Sequence, residues 1–227
     1  MLLGGNIDHI AVLREARKIN DPNPLDALGI CKLAGADQIT IHLREDRRHI
    51  QDYDVEVVQK MTRDAKKLFN LEIGAADEIV KIALKVKPDW ICLVPEKREE
   101  KTTEGGLDLR NEANFIKIKK TVESFRKEAA ETRLSLFVEA ELETLQKCAE
   151  LKVDAVEIHT GEYAKEFLEK REWRSFLEKF EMAKEFCAQK SIGFHAGHGL
   201  TDQSLRPLVE ASLFAEYNIG HWVIADS

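Results

Sequence analysis

The chain has 227 residues, 44% of them hydrophobic and 33% charged, and carries a net charge of −7 at pH 7. That length suits one domain with a sizeable core, and the composition is that of an ordinary globular protein. The negative charge disfavours general nucleic-acid binding, and no apolar run nears the roughly 18 residues of a membrane helix. The start, Met-Leu-Leu-Gly-Gly-Asn, lacks the basic region of a signal peptide. Cys31, Cys92, Cys148 and Cys187 form no CxxC pair. They read as reduced core residues, which implies a cytoplasmic location.

In chain order, an apolar run at 2–7 predicts the first strand, and Asp-Pro and Asn-Pro at 21–24 turn the chain into a helix over 24–34. Further strands are predicted at 38–43, 68–73, 90–94, 134–138, 155–158 and 192–194, with a last one near 217–219. Between them lie amphipathic helices near 52–66, 76–87, 111–131, 141–151, 164–190 and 202–211, the last capped at Thr201 and Asp202. No linker or repeat interrupts 1–227, so one α/β domain is expected. Strict alternation implies parallel pairing with right-handed crossovers. An open dinucleotide-binding sheet should carry a Gly-rich loop after its first strand, where this chain has Asn6-Ile7-Asp8-His9. Eight strands favour closure into a (β/α)8 barrel.

Chemistry-bearing residues follow the strands. All seven histidines (His9, His42, His49, His159, His195, His198 and His221) fall at or just past predicted carboxyl ends. In a parallel barrel those ends share the rim where active sites are built. Phosphate handling is suggested by the loop at 102–106, by Ala196-Gly197-His198-Gly199 and Ile219-Gly220-His221 after strands seven and eight, and by Arg17, Arg44, Arg47 and Arg48. Glu45, Asp46 and Arg47 read as an exposed charged loop. Glu72 ends an otherwise apolar strand, so desolvation should raise its pKa toward that of a general base. Two rival chemistries draw on the same rim: a divalent metal held by histidines with Glu72, Glu157 and Asp8, or a Schiff base on Lys97. No short ligand spacing supports the metal, and Glu96 and Arg98 point to a salt-bridged Lys97.

Taken together, these rim segments resemble the pyridoxine 5′-phosphate synthase family. The matching pieces are Asn6-Ile7-Asp8-His9, the run from His42 to His49, Asn70-Leu71-Glu72, the run from Leu93 to Glu100, and the run from Thr102 to Asp108. Glu157-Ile158-His159-Thr160-Gly161, Ala196-Gly197-His198-Gly199-Leu200 and Asn218-Ile219-Gly220-His221 complete them, in the family's order from residue 6 to 221. The resemblance implies condensation of two small phosphorylated substrates, 3-amino-2-oxopropyl phosphate and 1-deoxy-D-xylulose 5-phosphate, into pyridoxine 5′-phosphate, phosphate and water. It implies no metal and no organic cofactor, and a homo-oligomer, usually an octamer built from dimers.

Carried over by position, His42 and Glu72 would be proton acceptors, His198 the donor and Glu157 a support for the transition state. Asn6, Arg17, Arg44, His49, Thr102, Gly199, Gly220 and His221 would hold the amino-ketone phosphate, and Asp8 and His9 the deoxyxylulose phosphate. Gly5 and His195 depart from the family pattern. The family also continues beyond residue 227 through a final helix over strand eight, so the expectation is a truncated form or a flank covered by a partner subunit. Outside the resemblance, two readings remain: another sugar-phosphate aldolase or isomerase on the same barrel, and a non-catalytic barrel that binds a phosphometabolite.

Overall fold

The computed structural model describes residues 1–102 and 105–226. Eight parallel strands, β1 (Leu2–Asn6), β2 (Gln38–Leu43), β3 (Leu68–Ile73), β4 (Trp90–Leu93), β5 (Arg133–Val138), β6 (Ala155–His159), β7 (Gly193–Gly197) and β8 (Glu216–Ile219), close into a barrel in sequence order. Closure is the pairing of Leu2–Gly5 on β1 with Glu216–Ile219 on β8. Around it lie α1 (Asp8–Arg17), α2 (Pro24–Leu33), α3 (Asp52–Ala65), α4 (Asp77–Val86), α5 (Glu112–Glu128), α6 (Leu142–Leu151), α7 (Gly161–Leu168), α8 (Arg174–Gln189), α9 (Asp202–Glu210) and α10 (His221–Ala225). No helix is long and apolar enough to cross a membrane, among the described residues.

Period-two alternation sorts each strand's side chains. On β2, Ile39, Ile41 and Leu43 are fully buried against the helices, whereas Gln38, Thr40 and His42 alternate with them on the barrel side. The barrel interior is therefore polar, where many barrels of this type stack branched apolar residues. It is held by hydrogen bonds between strands: Gln38 Nε2 donates to Glu216 Oε1 (2.9 Å) and Asn218 Nδ2 to Glu157 Oε2 (2.8 Å), with a further bond along β8 from Asn218 Nδ2 to Glu216 Oε1 (3.1 Å).

One buried ion pair fixes the entry to the rim. Arg14 on α1, only 4% exposed, donates to both carboxylate oxygens of Asp54 on α3 (2.8 and 2.7 Å) and to the His49 carbonyl (3.0 Å). Asp54 also accepts from the Gln51 N–H at the start of α3 (2.8 Å). A bidentate pair of this kind sets the orientation of α1 against α3 as well as joining them.

Three elements differ from expectation. Residues 8–17, to which the sequence assigned no element, form α1: Asn6 Oδ1 accepts the Asp8 N–H (2.9 Å), starting a helix one residue after the strand ends. The helix expected over 164–190 is two, because Lys170 takes a left-handed φ of 56° and Trp173 folds back onto Phe167 and Tyr163. A short α10 follows β8. The final correction concerns His195. It lies in the middle of β7, paired with Glu216, the first residue of β8, and packed on Trp90, the first residue of β4. That places it toward the amino-terminal floor, so six of the seven histidines are near the rim.

Candidate active site

The carboxyl ends of the strands open onto a cavity of about 880 Å³. Of the residues singled out from the sequence, Asn6, His42, Glu72 and Glu157 line it from β1, β2, β3 and β6, and His9 from the start of α1. His198, Gly199, Gly220 and His221 line it from the loops after β7 and β8.

His42 is held from one side. Its Nε2 lies 3.2 Å from Glu96 Oε1 and its Nδ1 3.9 Å from Glu72 Oε2. Burial pushes the Glu96 carboxyl up, but bonds from His42 and the Glu45 N–H, with Arg44 nearby, outweigh it and leave Glu96 below the usual range. An ionised carboxylate only accepts, so Nε2 carries a proton, and the neutral imidazole would present its Nδ1 lone pair toward Glu72. Such an imidazole is set up to take a proton.

The acids opposite are of another kind. Burial, with repulsion from Glu157 and Asp8, raises Glu72 well above the carboxylate range. Burial and Glu216 lift Glu157 to about 8, against the stabilising bond from Asn218. Asp8 rises to about 6 through burial, opposed by His42, whose backbone N–H it accepts at 2.9 Å. Asp8 and Glu157 are thus kept near the protonation boundary at neutral pH, as proton-transfer chemistry requires, and Glu72 is shifted in the same direction. Gly197 makes room for one of them: a β-carbon there would stand 2.0 Å from Glu157 Oε1.

The histidines lean the other way. Burial depresses His198, with further repulsion from His159, His221, Lys101 and His9. Burial and His221 depress His9, whose ring meets the His221 ring edge-on at 5.1 Å. His49 falls to about 4, mainly through burial, and its Nδ1 accepts the Ile50 N–H (2.8 Å). At pH 7 these are neutral imidazoles.

The remaining candidates are scattered. Thr102 is buried, donating to Glu139 Oε1 (3.3 Å) and accepting the Gly105 N–H (3.0 Å). Thr103 and Glu104 of that expected phosphate loop lie outside the described residues. Arg44 pairs with Asp46 (3.2 Å) and is not among the residues that line the cavity. Arg17 is exposed at the end of α1 and is not among the residues that line the cavity. Lys97 is half-exposed and pairs with Glu45 at 3.3 Å, not with its chain neighbours. That contact raises its pKa and holds it as an ammonium, the form that cannot start a Schiff base. Among the described residues, Asp8, His42 and His49 form a group that could hold a cation, with one ligand atom from each lying within 4.8 Å of the others.

The cavity also contains Lys101, Phe137, His159 and Asn218. Sequence reasoning noted His159 after strand six but gave it no role. Lys101 carried no signal, because nothing in its local pattern says that the segment after β4 folds back over the mouth.

The family model for "Pyridoxal phosphate biosynthesis protein PdxJ" matches residues 3–227. The chain is 43% identical to the pyridoxine 5′-phosphate synthase of Aliarcobacter butzleri over all of this chain and 93% of that one. It is 44% identical to the synthase of Geotalea uraniireducens, covering 98% of this chain and 90% of the relative. Among solved structures, the HpcH/HpaI aldolase from Desulfitobacterium hafniense superposes with a TM-score of 0.65 over 99% of this chain and 88% of that one. At 10% identity it speaks to the barrel alone. A family match over nearly every residue, joined to relatives above 40% identical along nearly their whole length, makes this chain a member of the pyridoxal phosphate biosynthesis protein PdxJ family.

Proposed function

We propose that the chain condenses 3-amino-2-oxopropyl phosphate with 1-deoxy-D-xylulose 5-phosphate to give pyridoxine 5′-phosphate, phosphate and water. The observation that carries this reading is the buried pair Glu72 and Glu157, both raised in proton affinity, facing neutral imidazoles across one cavity. Ring closure of an amino ketone with a ketose needs repeated proton transfers, and the amine comes with the substrate, so no protein lysine is called for.

In this reading His42, oriented by Glu96, and Glu72 accept protons. His198 donates one to a departing oxygen, and Glu157 supports charge in the transition state. Gly199, Gly220, His221 and Asn6 line the part of the cavity assigned to the amino-ketone phosphate, where loop amides can meet phosphate oxygens. Asp8 and His9 are assigned to the ketose phosphate. Arg44, His49, Thr102 and Arg17 enter the set through the resemblance. No metal or organic cofactor has a step in this scheme.

The reading extends to assembly and location. Val12 and Leu13 on α1 and Ile30 and Leu33 on α2 are exposed, Leu33 at 89%, and the two helices pack together. An apolar face of this kind fits a homo-oligomer, an octamer built from dimers, in the reducing cytoplasm. Appearance of pyridoxine 5′-phosphate from the two substrates tests the reaction. Its loss in Glu72→Gln, with binding retained, tests the assignment.

A further inference from the structure

Glu139, His159 and His198 form a line along the rim that the scheme above leaves unused except at its end. Glu139 follows β5 and is 5% exposed. Its Oε1 accepts from the Gly106 N–H (3.0 Å) and Thr102 Oγ1 (3.3 Å), and lies 3.1 Å from His159 Nδ1. Burial would push this carboxyl up, but the hydrogen bonds from His159 and the Gly106 N–H outweigh it, so Glu139 stays ionised. An ionised carboxylate can only accept, which puts the proton of a neutral His159 on Nδ1 and leaves the Nε2 lone pair toward the cavity. The His159 ring stands 5.0 Å from the His198 ring, centroid to centroid.

Both rings meet over Gly161. A β-carbon there would lie 2.7 Å from His159 Nε2 and 2.9 Å from His198 Cδ2, so only glycine lets the two imidazoles converge. Phe137 packs edge-on against both rings, at 5.4 and 6.3 Å, and limits their rotation.

We propose that His159, oriented by Glu139, is a further catalytic residue of this site, a general base at Nε2 that recharges the donor His198. The inference rests on the synthase reading for its substrate. In a dehydration step, His159 Nε2 takes a proton from the carbon beside the departing hydroxyl, and the released C–H electron pair forms the new double bond. The C–O bond breaks and its pair leaves with oxygen. The proton that oxygen needs comes from His198 as the imidazolium of His159 passes its own proton to the other ring nitrogen of His198, so that no imidazolate is left. One C–H and one C–OH become a double bond and water, with both imidazoles restored and no oxidant or reductant required.

Three measurements decide it. In His159→Gln, turnover should fall by roughly 10²-fold while the dissociation constant for inorganic phosphate, measured by calorimetry, stays within about twofold. Unchanged turnover in an active background, or a loss confined to phosphate affinity, would overturn the proposal in favour of a structural or phosphate-binding role. In His159→Gly, added imidazole should restore part of the rate, and absence of rescue in the folded variant counts against a proton-transfer role. Independently of turnover, the imidazole ¹⁵N spectrum of the wild-type protein should show His159 protonated at Nδ1, a preference that Glu139→Gln abolishes. A wild-type Nε2–H tautomer would sink the mechanism. Failure of the synthase reading looks different: the wild-type chain itself makes no pyridoxine 5′-phosphate.

Discussion

At the residue scale, burial raises the proton affinity of the site's carboxyl groups and lowers that of imidazoles such as His198. Glu72→Gln keeps the shape and the hydrogen-bonding capacity of the side chain but removes the base, so kcat should fall by roughly 10²-fold or more with substrate binding largely intact. Steady-state kinetics beside binding calorimetry check this, and a rate near wild type would remove Glu72 as a base. Glu157 gives a thermodynamic prediction. Its pKa rises from 4.5 to about 8 on folding, so the folded chain binds more protons than the unfolded one between those values. Stability therefore falls as pH climbs through that window. Glu157→Gln removes the dependence, and its Tm should exceed wild type at pH 8.5 and approach it at pH 5 in a thermal scan. His49 acts in the opposite direction: lowered from 6.5 to about 4, it costs stability as pH falls through that range.

The placement of Glu72 in the cavity was legible because a lone acid in the apolar-looking run 68–73 must find a polar setting, and the barrel mouth supplies one. Glu96 and Glu139, the carboxylates that orient His42 and His159, were not legible as partners, since the pairing spans 54 and 20 residues of chain.

At the element scale, apolar runs and the turns between them put seven of the eight strands within a residue of their positions, and the seventh ends three residues later than expected. What the pattern hid was α1. Its residues 8–17 mix site and charged side chains, so the helical period is masked by function. The break between α7 and α8 depends on Trp173 packing against residues of the preceding helix, a tertiary effect that periodicity cannot carry. The Arg14–Asp54 pair gives this scale its prediction. Arg14→Ala leaves Asp54 buried and uncompensated, which costs about 3–5 kcal/mol. Urea denaturation should show the loss, and the freed His49 carbonyl should loosen the loop before α3, raising KM as well. A variant as stable as wild type would show that the pair does not tie α1 to α3.

At the scale of the whole molecule, the apolar side chains of the strands pack outward and the polar ones inward, so the helical shell supplies most of the hydrophobic core and the interior is left for chemistry. The sequence showed this as alternation within Gln-Ile-Thr-Ile-His-Leu at 38–43 but did not reveal which polar residues meet across the barrel. His195 illustrates the limit: a histidine leading into Ala196-Gly197-His198-Gly199 reads as a rim residue, yet the register of β7 with β8 sets it beside Glu216 near the floor. If proton transfer by side chains carries the reaction, EDTA should leave the rate unchanged; a rate abolished by EDTA and restored by a divalent cation would make the Asp8, His42 and His49 group a metal site instead.

The most direct test is turnover by the purified chain. It is mixed with 1-deoxy-D-xylulose 5-phosphate and freshly generated 3-amino-2-oxopropyl phosphate in the presence of EDTA, and the products are followed by mass spectrometry and phosphate release. The account predicts pyridoxine 5′-phosphate and inorganic phosphate in equal amounts. A folded chain that binds both substrates and yields neither product would contradict it.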